Sequence, residues 1–220
     1  MKNDWGTGSI GDIVAKLPAA SEVFKKFGVD FCCGGHRILS EVIKEQGIDG
    51  VLLYKELDAE ANKAQERSNV DFSAMSADEL SSHIQARHHS YLREALPRLS
   101  ELSNTVLKAH GKNHPELFRV HGLFGTLRIE LEQHLAKEET LLFPAIGDIN
   151  EQVRKLAREI KEEHESAGKI LKELRLITDG YTVPLDGCPT FRKLYESLIE
   201  FESDLFEHIH LENNILLREV

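Results

Sequence analysis

Four long stretches of this chain repeat an apolar residue every three or four positions, and each of these stripes is interrupted by a histidine. In the last, Leu194, Leu198, Phe201 and Leu205 lead to His208, Glu212 and Ile215; in the second, Val120, Phe124, Leu127 and Leu131 lead to His134, Glu138, Leu141 and Ala145. The third reads Val153, Ala157, Ile160, His164, Ala167, Leu171 and Leu174, and the first reads His89, Leu92, Leu96 and Leu99. Residues three and four apart share one face of a helix, so whatever buries the leucines also buries the imidazoles and carboxylates. The pattern is duplicated: His134 follows His89 by 45 residues, His208 follows His164 by 44, and His134 and His208 each open a His-x-x-x-Glu.

The helix ends are marked as clearly as the faces. Ser76-Ala-Asp-Glu79 is a capping box for the first long helix, and Gly111 is expected to close it. Asn113 and Pro115 open the second, which should stop between Pro144 and Gly147; the third spans Asp148 to Thr178, and Pro189 starts the fourth, expected to run nearly to Val220. Helices this long on short loops predict an all-α fold, an antiparallel four-helix bundle. Residues 1–60 are punctuated by glycines into short helical pieces, one of them ending at Gly28 in the left-handed cap conformation, and predict a small helical N-terminal domain. The organisation expected is therefore 1–60 small domain, 61–75 linker, 76–220 bundle.

The bundle also predicts a common depth for the histidines. At about 1.5 Å of rise per residue, His89 lies as far before His110 as His134 lies after Asn113, 21 residues in each case. Two carboxylates and four imidazoles in one buried layer demand cations, because a buried unpaired charge costs several kcal/mol, on the order of a whole large side chain's burial. Structural zinc prefers thiolate-rich four-coordinate sites and calcium or magnesium oxygen alone, whereas mixed imidazole and carboxylate ligation suits iron or manganese. The expectation is two iron ions with an oxo or hydroxo bridge, held by His89, His134, His164 and His208 and spanned by Glu138 and Glu212, with zinc or manganese as alternative occupants. Glu130, one turn before His134, and Glu163, beside His164, are candidates for orienting a ligand or lining an exit path. His83, His88, His110, His114, His121 and His210 fall off the stripes and are expected at the surface or at helix ends.

Composition narrows the partners. With 27 Lys and Arg against 37 Asp and Glu, the formal charge of −10 argues against nucleic acid and anionic membranes. No apolar run approaches the ~18 residues of a spanning helix, and the first residues lack a secretory pattern, so a cytoplasmic protein is expected. Cys32 and Cys33 are adjacent and Cys188 is distant, which is no disulfide framework and accords with a reducing compartment. Cys188 is expected at a helix start without a partner.

The segment Gly28-Val-Asp-Phe-Cys32-Cys33-Gly34-Gly35, followed by His134-x-x-x-Glu138-Glu-x-x-Leu-Phe-Pro144, Glu163-His164-Glu-x-Ala-Gly168 and His208-Ile-x-Leu-Glu212-Asn-Asn, resembles the RIC (Repair of Iron Centres) family of hemerythrin-like di-iron proteins. The resemblance covers almost the whole chain. It implies a cytoplasmic stress protein that restores iron-sulfur clusters damaged by nitric oxide or peroxide, with iron-sulfur client proteins as partners and a homodimer for which the residues fix no interface. The family's six di-iron ligands map onto the six residues chosen by spacing. Oxygen-carrying hemerythrins differ, using a fifth histidine one turn from the third-helix ligand and an aspartate on the fourth helix; here those places hold Ile160 or Gly168, and Glu212. The family's paired cysteines map onto Cys32 and Cys33, read as a thiol relay of iron or reducing equivalents. Three functions follow from such a centre: iron supply for cluster repair, turnover of nitric oxide or peroxide as an enzyme, and sensing of oxygen or nitric oxide. The absence of an attached catalytic or DNA-binding domain weakens the sensor, and the double cysteine favours repair.

Overall fold

The capping box forms as the sequence dictates: the Glu79 N–H donates to Ser76 Oγ (3.3 Å) and the Ser76 N–H donates to Glu79 Oε2 (2.9 Å). This is a computed structural model that describes residues 5–64 and 71–220. Two units share the chain, one made of the described residues of Met1–Ser81 with Phe206–Val220, the other of Ser82–Leu205. Among the described residues there is no strand, only an isolated bridge between Ser9 and Ile38. No helix of the described residues is long and apolar enough to cross a membrane.

In the first unit the N-terminal part supplies α1 (Ile10–Lys16), α2 (Ala20–Phe27), α3 (Leu39–Gln46) and α4 (Gly50–Ala64). Their common core includes Ile10, Phe24, Leu39, Leu53 and Leu57, all with no exposed surface. Gly28 ends α2 at φ 69°, the left-handed conformation in which a side chain is strained, as expected. Helix α4 reaches Ala64, so the first part of the expected linker is helical; residues 65–70 of that linker lie outside the described residues.

The second unit is built on α6 (Ser90–His110), α7 (Glu116–Lys137), α8 (Glu151–Ile177) and the larger part of α9 (Pro189–Leu211), with α5 (Ala77–Ile84) leading into α6. Helix α7 packs along both α6 and α8. Across from it on α9, Phe201 meets Phe124 of α7 edge to face, ring centroids 5.7 Å apart. Leu92, Leu96, Leu99, Leu127, Ile160, Leu174 and Leu205 are almost wholly buried, so the four stripes do face a shared core. Gly111 closes α6 at φ −59°, in the right-handed region rather than the left-handed one; the reason for glycine there is contact, since a Cβ would stand 2.6 Å from the Leu107 carbonyl oxygen.

Among the described residues three single π turns interrupt the helices: Gln85–His89, Glu138–Leu142 and Glu212–Leu216. In the last, the Leu217 N–H reaches back five residues to the Glu212 carbonyl at 2.7 Å. A wide turn takes up one extra residue, and one residue is about 100° of helical rotation. The apolar stripes therefore slip by one beyond it. Leu142 is fully buried where Leu141 was expected, and Leu141 is 56% exposed; likewise Leu216 is buried where Ile215 was expected. Ala145 is half-buried, the buried places being taken by Phe143 and Ile146. Regular winding in the fourth long helix stops at Leu211, and the wide turn carries it on to Leu216, short of Val220.

Candidate metal centre

All six residues picked out by spacing are buried, with Glu138 and Glu212 at 0% exposure. Each wide turn begins or ends on one of them, at His89, Glu138 and Glu212. His134 lies in the last turn of α7, His164 in the middle of α8 and His208 in the last turn of α9.

Glu138 presents its two oxygens to different imidazoles. Its Oε1 lies 3.3 Å from His134 Nε2 and 4.0 Å from His164 Nε2, while its Oε2 lies 3.3 Å from His89 Nε2. The Nε2 atoms of His134 and His164 are 3.1 Å apart. On the last turn of α9, His208 Nε2 is 3.0 Å from Glu212 Oε1. Two ligand atoms at right angles on a metal about 2.1 Å from each lie about 3.0 Å apart, so these separations suit neighbouring ligands of one ion. Two sets of four side chains offer ligand-type atoms within 4.8 Å of one another: His89, Glu138, His208 and Glu212, and His134, Glu138, His164 and Glu212.

Two of the imidazoles are held by carboxylates. His89 Nδ1 lies 2.7 Å from Glu139 Oε1, and His134 Nδ1 lies 2.8 Å from Glu163 Oε2. A carboxylate on Nδ1 keeps the proton there and leaves the Nε2 lone pair for a cation. Each carboxylate is itself held. The His134 hydrogen bond first, and the Lys137 ammonium after burial is overcome, bring Glu163 down to about 2. Burial works to raise Glu139, but the His89 and Arg93 hydrogen bonds outweigh it and leave it lowered; Arg93 Nη2 stands 2.5 Å from Glu139 Oε2. Both stay ionised at neutral pH beside these imidazoles.

Glu163, beside His164 in sequence, meets the ring of His134 instead. Glu130 is exposed and accepts the Ser166 hydroxyl at 3.4 Å. Glu139 was missed because it falls off the apolar stripe, and its partner His89 stands 50 positions away in the sequence. Two histidines assigned to the surface are buried. His88 stands 3.1 Å from Asp204 through Nδ1. His210 is driven down to about 4, chiefly by burial, and its Nδ1 lies 3.3 Å from the Phe31 carbonyl.

The paired cysteines are unequal. Cys32 is buried and Cys33 half-buried. The Cys33 thiol first, then burial and the Asp30 carboxylate 3.2 Å from Cys32 Sγ, hold Cys32 protonated well above the ordinary thiol range. A thiolate relay would therefore present Cys33 outward. Cys188, expected without a partner, has two: His110 Nε2 at 3.2 Å and the Phe191 N–H at 3.4 Å, at the start of α9. The N–H and the imidazole lower this thiol to about 7.

Residues 80–220 match the family model of the hemerythrin HHE cation binding domain, and residues 7–61 match ScdA_N, a domain of unknown function. The chain is 32% identical over 212 residues to the iron-sulfur cluster repair protein ScdA of Staphylococcus haemolyticus, covering 94% of this chain and 95% of that protein. It is 34% identical over 213 residues to a probable iron-sulfur cluster repair protein of Haemophilus influenzae (96% and 95% covered), and 35% identical over 215 residues to the iron-sulfur cluster repair protein YtfE of Musicola paradisiaca (94% and 93%).

Proposed function

This chain belongs to the hemerythrin-like RIC (Repair of Iron Centres) family, and from that premise we propose that it repairs damaged iron-sulfur clusters by supplying iron held in the bundle. The observation that carries the reading is Glu138, a fully buried carboxylate whose two oxygens face imidazoles on opposite sides, His89 on one and His134 with His164 on the other. One carboxylate so placed serves two cations better than one. The ligand set is His89, His134, His164 and His208 with Glu138 and Glu212, for two iron ions; its mixture of nitrogen and oxygen donors without thiolate supports iron over structural zinc.

Iron in this centre is both resident and cargo: when bound it supplies the atoms from which a depleted cluster is rebuilt. The chain's own residues do the rest. Glu139 and Glu163 fix the Nδ1 protons of His89 and His134, so that their Nε2 atoms stay available as ligands. Arg93 and Lys137 tether those carboxylates at the rim, within reach of solvent. The clients are iron-sulfur proteins under nitrosative or oxidative stress, in the cytoplasm, and Cys33 is the thiol presented to them. The division into a thiol-bearing segment 1–60, a linker 61–75 and a metal-binding domain 76–220 belongs to this proposal, supported by the separate extents of the two family models.

Reconstitution with ferrous iron under inert gas tests the reading. Two irons per chain are expected, with transfer to an iron-depleted client restoring its cluster absorption. Two irons retained without transfer would overturn donation, and sustained nitric oxide consumption without iron loss would make the protein an enzyme instead.

A further inference from the structure

The residue that joins the two unusual features of the first unit, the paired cysteines and the wide turn starting at Glu212, is Asn214. Its Nδ2 donates to the Cys32 carbonyl at 3.0 Å and the Phe31 carbonyl at 3.2 Å. His210 closes the set, its Nδ1 3.2 Å from Asn214 Nδ2. The side chain occupies a slot that only glycine leaves open. A Cβ on Gly35 would stand 2.4 Å from Asn214 Oδ1, and one on Gly11 would stand 2.8 Å from it. The slot's walls are bonded to each other, since the Gly11 N–H donates to the Gly35 carbonyl at 2.7 Å. On the far side of the loop, Asp30 Oδ1 accepts the Cys32 N–H at 3.0 Å. A second tie holds the end of the turn, where Arg218 Nη1 lies 2.5 Å from Asp12 Oδ1.

We propose that Asn214 is the positioning residue of the Cys32–Cys33 loop, fastening it to the turn that begins at Glu212, so that the accessibility of the paired thiols follows the state of that turn. The physical argument is one of shared backbone. Asn214 lies two residues after Glu212, inside the same wide turn. A wide turn breaks the regular hydrogen-bond ladder and is frequent at functional sites, and here one of its side chains grips the cysteine loop. Ligation of Glu212 restrains the turn from one end, and the loop restrains it from the other. By linkage, a restraint applied at either end favours the arrangement that suits both. Iron on Glu212 thus keeps Cys32 covered, and loss of iron frees the loop. The proposal rests on Glu212 being a metal ligand, as argued above.

Alkylation by N-ethylmaleimide, quantified separately at Cys32 and Cys33 by tandem mass spectrometry of the full chain, tests it. Asn214→Asp keeps the volume and removes the donor, while Asn214→Ala removes both. Without metal, each variant is expected to alkylate at Cys32 about tenfold faster or more than the wild type, the scale set by an unsatisfied buried carbonyl. With two irons bound, wild-type Cys32 slows by a further factor of about ten. In the variants, iron content is expected to match the wild type while the ratio of metal-free to iron-loaded rates falls to near one. A generally loosened fold would raise both rates and leave that ratio intact, so the ratio separates positioning from mere stability. Asn214→Asp with wild-type rates, or an iron-loaded wild type that alkylates as fast as the metal-free form, would overturn the proposal. A wild-type chain that holds no iron would overturn the proposed function, and the metal-free comparison would still decide the role of Asn214.

Discussion

Replacing Glu163 by Gln should separate iron affinity from fold stability. The carboxylate is 37% exposed, sits 2.8 Å from His134 Nδ1 and also meets Lys137. In the metal-free protein the loss is that of a half-exposed ion pair, about 0.5–1 kcal/mol once solvent screening is allowed for. For iron the loss is larger. An amide accepts from Nδ1–H without the charge that raises the basicity of Nε2, and removing such outer partners typically costs about 10–100-fold in metal affinity, or about 1.4–2.7 kcal/mol. Glu139→Gln makes the same change at His89 on the other side of Glu138, and Glu130→Gln serves as the control, since that side chain is exposed and bonded to Ser166. The assay is competition with a calibrated ferrous chelator, read as iron retained per chain, alongside urea unfolding of the metal-free forms. Weakening should be about tenfold or more in Glu163→Gln and Glu139→Gln, and less than twofold in Glu130→Gln. If Glu163→Gln held iron within twofold of the wild type, the argument that these carboxylates prepare the histidines would be refuted.

The register of the wide turn at Glu138 is open to a paired test: Leu142→Ala should lose about 2–5 kcal/mol in urea unfolding and Leu141→Ala less than about 0.5 kcal/mol, whereas a regular helix would reverse the order. Alkylation of Cys188, followed at its own peptide across pH 5 to 10, should rise to a plateau with a midpoint near 7, its lowered value; a midpoint at the ordinary thiol range would mean that the Phe191 N–H and His110 do not act on it. Gly28→Ala should cost about 1–2 kcal/mol, because φ 69° places a new Cβ against the backbone; unchanged thermal unfolding would count against the left-handed cap.

The sequence showed most of the bundle because its signals are local and periodic. Ser76 with Glu79, Gly28 and Pro189 mark helix ends through chemistry confined to a few neighbours; the third helix, expected from Asp148, starts instead after Asn150, which accepts from the Gln152 and Val153 N–H groups. The six residues of the buried cluster stood out for a related reason: a polar side chain on an apolar stripe contradicts the stripe, and six such contradictions at duplicated spacing leave few explanations. What escaped was whatever depends on the wide turns. Extrapolating a regular helix past Glu138 and Glu212 pointed to Leu141 and Ile215. His88 and His210 were misplaced for another reason. Their burial depends on partners far along the chain, Asp204 for one and the Phe31 carbonyl for the other, which no periodicity within their own helices announces. Cys188 likewise meets a histidine 78 positions away.

Each wide turn accommodates one residue beyond what regular winding would use. The count of residues between landmarks is therefore as much a part of the design as their identity. Excising a single position from 139–141 would heal the helix into even coils and leave every later side chain of that helix on the face it now holds, whereas excising one from the regular winding before His134 would swing everything after it around the axis by roughly 100°. A one-codon deletion is therefore absorbed where the winding is wide and propagates to the whole segment downstream where it is regular.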